Sequence, residues 1–437
     1  RRGAQDMDII ISQIHTLSTN NDSDLKKLRD FLRHEQESLK ANAHLIDQAL
    51  QTLEPSQNTL GIAFLLTAQL NAAVFANQRN TFAYVGNYLK LADEQQAKKA
   101  SVQINHVCKS YAQMAIDEGP QAMLRSLQPL RCAVEKLRPS AETLTPVHAE
   151  FLRVCLKAKA YHFAERILDQ PIFDISLINN NCTQMTPQSF LSYFYYGALI
   201  RIGMKKYAQA LQALLVVLTC PASCLSMIQA DAFKKYVLVS LKCHGELQQL
   251  PVYASHIVMR YAKSPSYVLD IAEAFKQGDL AALQRTVEEK AQQIQADRNV
   301  GLVKQVVQSL QRHKLQTLTK TYLTLSLTEI AREIGMEEMR TAEVEELLFD
   351  MISAGEIRAR IDQSTGNVFF EDDQDEMDVH MVAKMQDKLS QILDLAQRIS
   401  AFEQEIVSSE AYIRKTAALE GDPRSVPAMG GYDFMDM

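Results

Sequence analysis

Cys220 and Cys224, on either side of Pro221, come nearest in type and spacing to a reactive or metal-binding pair. Two thiols so placed could pair in a redox couple or supply half of a tetrahedral zinc site. That site needs a second pair of ligands, which the flanking sequence lacks. The pair therefore reads as two small buried or half-buried thiols at a helix junction. Hydrolytic zinc chemistry asks for two histidines on one helical face, or a His-x-His pair, with a carboxylate to activate water. The ten histidines, among them His106, His148, His244 and His256, show neither spacing and read as surface or interface residues. Neither glycine-rich phosphate-loop spacing occurs, and no Cys-His pair is singled out for nucleophilic work. The sequence thus points to no catalytic residue, no cofactor and no metal, and the chain is expected not to be an enzyme.

The elements tell more. A chain of 437 residues suffices for two or three domains of roughly 100 to 200 residues. Its 15 Gly and 12 Pro are too few for a turn-rich β protein, so a mainly helical one is expected. The net charge of −6, from 46 basic and 52 acidic residues spread along the chain, argues against a nucleic-acid binder with a dominant basic face. The seven cysteines are odd in number and scattered, as in a reduced, intracellular protein. Residues 1–14 hold no apolar core of signal-peptide length, and the longest apolar stretch is broken by Thr67, Gln69 and Asn71. Neither export signal nor membrane span is predicted.

Residues 1–146 carry apolar side chains at three- and four-residue spacing, for example Leu25, Leu28, Phe31 and Leu32, and predict short amphipathic helices. Between residues 147 and 315 a pattern recurs: Tyr161, Ala164, Ile167 and Leu168 answer to Tyr207, Ala210, Ala213 and Leu214. A large residue followed by small ones a turn later lets helices approach closely, and stacked hairpins of this kind make a solenoid. The offset exceeds the roughly 34 residues of a tetratricopeptide, so the repeats are irregular but tetratricopeptide-like. Residues 170–189, with Asn179, Asn180 and Asn181, read as a polar loop.

From residue 316 to 371 the period changes. Ser326 with Glu329 forms a capping box opening one helix; a second begins at Thr341, buries Leu347, Leu348, Met351 and Ile352, and stops at Gly355. Ile357, Ala359 and Ile361 alternate with Arg358 and Arg360, and with Val368 and Phe370 they predict a hairpin around residues 362–366. Residues 322–325 supply a leading strand, completing the layout of a winged helix. An acidic spacer, 371–378, follows. Residues 379–419 then form a helix with a heptad seam, Val382, Met385, Leu389, Ile392, Ala396 and Ile399, whose phase breaks at Glu403 and resumes at Ile406. Residues 420–437, with Pro423, Pro427, Gly430 and Gly431, read as a disordered tail.

An irregular solenoid running into a winged helix resembles the PCI-domain family of the proteasome lid, the COP-nine signalosome and the third translation-initiation-factor complex. Within it, Asn299-Val-Gly-Leu-Val-Lys-Gln305, Leu318-Thr-Lys-Thr-Tyr-Leu-Thr-Leu-Ser-Leu327 and Met351-Ile-Ser-Ala-Gly-Glu-Ile357 are similar to the signalosome third-subunit family. So are residues 190–197, with Tyr193, Tyr195 and Tyr196, and Phe233-Lys-Lys-Tyr-Val-Leu-Val-Ser-Leu241. The resemblance implies a non-catalytic scaffold, cytoplasmic and nuclear, in a complex that removes the ubiquitin-like Nedd-eight from cullin-RING ubiquitin ligases through a different, zinc-bearing subunit. Its partners would be the other subunits, met through winged-helix edges and C-terminal helices, with cullin-RING ligases touched indirectly and no membrane.

A single apolar seam does not bury itself, so Val382, Met385, Leu389, Ile392 and Ile399 are candidate bundle contacts, with packing back on the chain's own solenoid as the alternative. Tyr322, Leu323, Leu325, Val368 and Phe370 are candidate strand residues of the assembly module. The Tyr193–Tyr196 cluster reads as helix packing, with a peptide-binding site as the sharper option. A messenger-export adaptor using the same module would bind RNA through the second helix. The carboxylates at 337, 338, 343, 345, 346 and 350, against the lone Arg340, oppose that.

Overall fold

The computed structural model describes residues 2–18, 21–72, 78–175, 185–335, 341–363, 366–370 and 379–420. Asn179, Asn180, Asn181 and Cys182, the acidic spacer and the tail from residue 421 lie outside them. The chain divides into two compact units, Arg1–Ile357 with Ile361–Phe369, and Arg358–Arg360 with Phe370–Met437.

Helices dominate, and the N-terminal repeats are built around one of them. Thr59–Ala72 has consecutive apolar residues rather than a stripe, and residues from Thr59 to Leu66 are buried on all sides. Its first turn is closed by other helices: the Leu60 amide donates to Gln96 Oε1 at 3.1 Å, and Tyr88 donates its hydroxyl to the Thr59 carbonyl at 2.9 Å. Gly61 admits Ile14, since a Cβ there would stand 2.6 Å from Ile14 Cγ2.

The irregular repeats share one turn. Lys159, Lys205 and Arg298 adopt φ of 56°, 62° and 57°. After each, an amide reaches back across the helix end: Ala160 to the Cys155 carbonyl at 3.0 Å, Lys206 to Arg201 at 2.8 Å, Asn299 to Ile294 at 3.0 Å. These are Schellman closures with a basic residue where glycine is usual, at a cost of roughly 1 kcal/mol or more each. The first two turns lead into the helices Tyr161–Leu168 and Tyr207–Thr219, which begin on the two tyrosines the sequence matched.

Four predicted boundaries move. Residues 170–189 are not all loop: Asp174 and Ile175 pair in parallel with Thr143 and Leu144, and Pro187 opens the helix Pro187–Gly203. The helix Val300–Thr321 runs past residue 315, and Tyr322 closes it by donating its amide to the Leu318 carbonyl at 2.9 Å. The leading strand is therefore Thr324–Ser326, later than predicted. The C-terminal helix, expected as one over 379–419, is Val379–Ser408 and yields at Ser409 to a second helix, Glu410–Glu420.

Among the described residues two apolar cores form the solenoid, and Pro187–Gly203 belongs to both. Tyr193 and Ile200 sit in the core reaching back to Met7, whereas Leu191 and Ala198 sit in the one reaching on to Leu310. Gly197 lets this helix close on Leu168, whose Cδ2 is 2.9 Å from where a Cβ would be. Among the described residues, no helix is long and apolar enough to cross a membrane.

Candidate assembly site

The winged helix is assembled as its local sequence directs. Ser326 and Glu329 cap the helix Leu327–Ile334 reciprocally, the Glu329 amide donating to Ser326 Oγ at 3.2 Å and the Ser326 amide to Glu329 Oε2 at 3.2 Å. The helix Thr341–Ser353 buries Val344, Leu348 and Met351. It ends in a Schellman turn: Gly355, at φ 70°, donates to Ile352, and Glu356 to Met351 at 2.9 Å. Arg312 of the long helix then meets Glu356 at 3.1 Å, an exposed pair that sets orientation more than stability.

The three-stranded sheet runs 324–326, then 367–370, then 359–362. Leu325 faces Val368 across the antiparallel pair, with Thr324 opposite Phe369. This corrects the expected assembly residues. Val368 is fully buried and Phe370 6% exposed, on the central strand, so both are core. The outer strands of the sheet are instead Thr324–Ser326 and Ala359–Asp362. Tyr322 and Leu323 lie ahead of the strand and are exposed, as is Phe349 on the second helix, which the sequence reading passed over.

Along Val379–Ser408 the seam residues are open. Met385, Leu389, Ile392 and Ile399 are 55 to 62% exposed, and Val382 is half-buried. Leu393, Leu395 and Phe402, off the seam, are exposed as well. Apolar side chains thus cover roughly half the circumference, wider than the seam of a two-stranded coil.

Other sequence candidates resolve as structure. Cys220 is half-buried with its thiol pushed up by burial, and Cys224 is exposed. Among the described residues no group of three or more His, Cys, Asp or Glu could hold a metal ion. Tyr193 is buried, and Tyr195 donates to Asp231 at 3.0 Å, so the cluster packs helices. His148, expected at the surface, is 3% exposed. The Thr145 amide donates to its Nδ1 at 3.1 Å, at the start of the helix Pro146–Lys157, and desolvation holds its pKa down to about 4.

A buried polar network escaped the sequence reading although Lys234, Lys235 and Asn299 lie in the segments quoted there. Lys235, 9% exposed, donates to Asn299 Oδ1 at 3.2 Å, and Asn299 Nδ2 donates to the Tyr267 hydroxyl at 2.8 Å. Lys234 pairs with Asp297 at 2.6 Å. Residues from 190–197, 233–241 and 299–305 converge here, which gives a physical reason for those segments to be distinctive. Burial lowers the Lys235 pKa, and the Asp231 carboxylate, 3.9 Å away, opposes that.

A helical solenoid entering a three-stranded winged helix defines a PCI-domain chain, and the PCI domain model matches residues 278–372. The model for COP9 signalosome complex subunit 3, N-terminal helical repeats, matches residues 22–258. A protein named COP9 signalosome complex subunit 3 from Drosophila melanogaster is 28% identical over 428 residues, 94% of this chain and 95% of its own. One of the same name from Arabidopsis thaliana is 31% identical over 414 residues, 94% of this chain and 93% of its own. The chain belongs to the COP9 signalosome complex subunit 3 family.

Proposed function

We propose that this chain is a non-catalytic scaffold subunit of the signalosome. In this reading the solenoid sets reach, and the strand edges 324–326 and 359–362 extend the sheets of neighbouring winged helices. The C-terminal helix locks the assembly. Edge addition joins the backbone of one chain to that of another while side chains select the partner. The complex so held would strip Nedd-eight from cullin-RING ligases through another subunit, in cytoplasm and nucleus. The observation that carries this reading is the broad apolar face of Val379–Ser408, which suits several partner helices at once. Exposed Glu343, Glu346 and Asp350 on the second helix favour protein over nucleic-acid partners.

The test is to tag the chain in its own cells, purify it in moderate salt, and identify what accompanies it by native mass spectrometry and peptide sequencing. Recovery of a multi-subunit complex containing a metalloprotease active on Nedd-eight-modified cullins is expected. Recovery as a monomer, or with RNA, would refute the assignment.

A further inference from the structure

The helices Gln78–Leu91 and Pro120–Leu137 leave between them a groove of about 790 Å³. Its depth depends on Gly86, where a Cβ would lie 2.8 Å from the Tyr111 hydroxyl. The Tyr111 ring is stacked on Phe82, with centroids 4.7 Å apart. Tyr111 is 1% exposed, and its hydroxyl lies beneath Gly86 at the floor of the groove. Pro129 stands inside its helix and brings no amide, so the Arg125 carbonyl lacks its helical donor. Asn87 and Gln121 place carboxamides along the walls, and Gln128 donates an N–H to Cys132 Sγ at 3.8 Å.

Carboxamides, each both donor and acceptor, beside an aromatic and glycine floor complement a peptide main chain, which offers both at every residue. The lining from Ala83 to Lys90 spans roughly 10 Å of helix, enough for about three extended residues. Charge selects among peptides. Lys90 and Arg125 are exposed lining residues with no ion pair among the described residues, against the single carboxylate Glu118.

We propose that this groove binds a short, extended, acidic peptide segment of a partner protein, its main chain held by Asn87, Gln121 and Gln128 and its carboxylates by Lys90 and Arg125. The proposal is independent of the assembly surfaces above.

Fluorescence anisotropy of a labelled Asp-Leu-Asp-Leu-Asp peptide, titrated with the full-length chain, tests it against a Lys-Leu-Lys-Leu-Lys control. Saturable binding of the acidic peptide alone is expected, weakened at least about tenfold by Arg125→Glu or Lys90→Glu. The double reversal should transfer binding to the basic peptide, which a folding defect would not do. Lys109→Glu, outside the groove, should change nothing. No saturation up to about millimolar peptide, equal binding of the two peptides, or indifference to the groove substitutions would overturn the proposal. Tighter binding of a uridine oligonucleotide to the same groove would do so too.

Discussion

His148 is neutral in the fold because burial opposes its charge, and its pKa of about 4 lies below the ordinary value of 6.5. The unfolded chain therefore binds a proton more readily, and stability rises with pH. The contribution of about 3 kcal/mol is complete above pH 6.5 and disappears as pH falls toward 4. Urea melts across this window should show that slope, and His148→Gln, which retains an acceptor for the Thr145 amide, should flatten it. Asn299→Ala would leave the Lys235 ammonium only the Asp231 carboxylate, 3.9 Å away, and would remove the donor to the Tyr267 hydroxyl, at a cost of about 1 to 3 kcal/mol in the same assay. At Lys205 the left-handed backbone is strained, so Lys205→Gly should leave the melting temperature unchanged or slightly higher, whereas Lys205→Val should lower it. None of these roles was legible in the sequence. A histidine three residues after a threonine does not look like a cap, and a Lys-Lys pair reads as solvated until the asparagine that accepts from it is placed beside it.

Element ends were legible where a local side chain makes them. Ser326 and Glu329 cap what they were expected to cap, and Gly355 turns the chain where its φ of 70° is needed. Strand order was not legible. Alternation along residues 357–361 and 368–370 reports which faces are wet, and a hairpin satisfies it whichever strand becomes central; the added strand at Thr324–Ser326 chose the second. Tyr322 and Leu323 looked like strand because they are apolar, yet the preceding helix claims the Tyr322 amide first. The C-terminal helix carries the assembly prediction. Leu389→Asp with Ile392→Asp places charge at exposed positions, so circular dichroism of the isolated chain should not change. Co-purification with partner subunits should fall sharply; undiminished recovery would remove this face from the interface.

Over the whole molecule, Pro187–Gly203 contributes to two apolar cores and joins one to the other. Repeat proteins unfold as one body while the interfaces between repeats outweigh differences among them. Gly197→Val would force Leu168 aside at a cost of about 1 to 3 kcal/mol at that junction. Differential scanning calorimetry should then resolve two transitions where the parent shows one, whereas a single shifted peak would mean that the cores are coupled elsewhere. The repeat itself was legible from Tyr161 and Tyr207, because hairpin stacking repeats residue size along with residue position.

The broad apolar face along Val379–Ser408 also bears on how much of this chain a cell retains. Hidden, it is inert; bare, it is a surface that chaperones and degradation machinery engage. Copies made in excess of their partners would be cleared while assembled ones persist, so turnover would match supply to demand without a dedicated regulator.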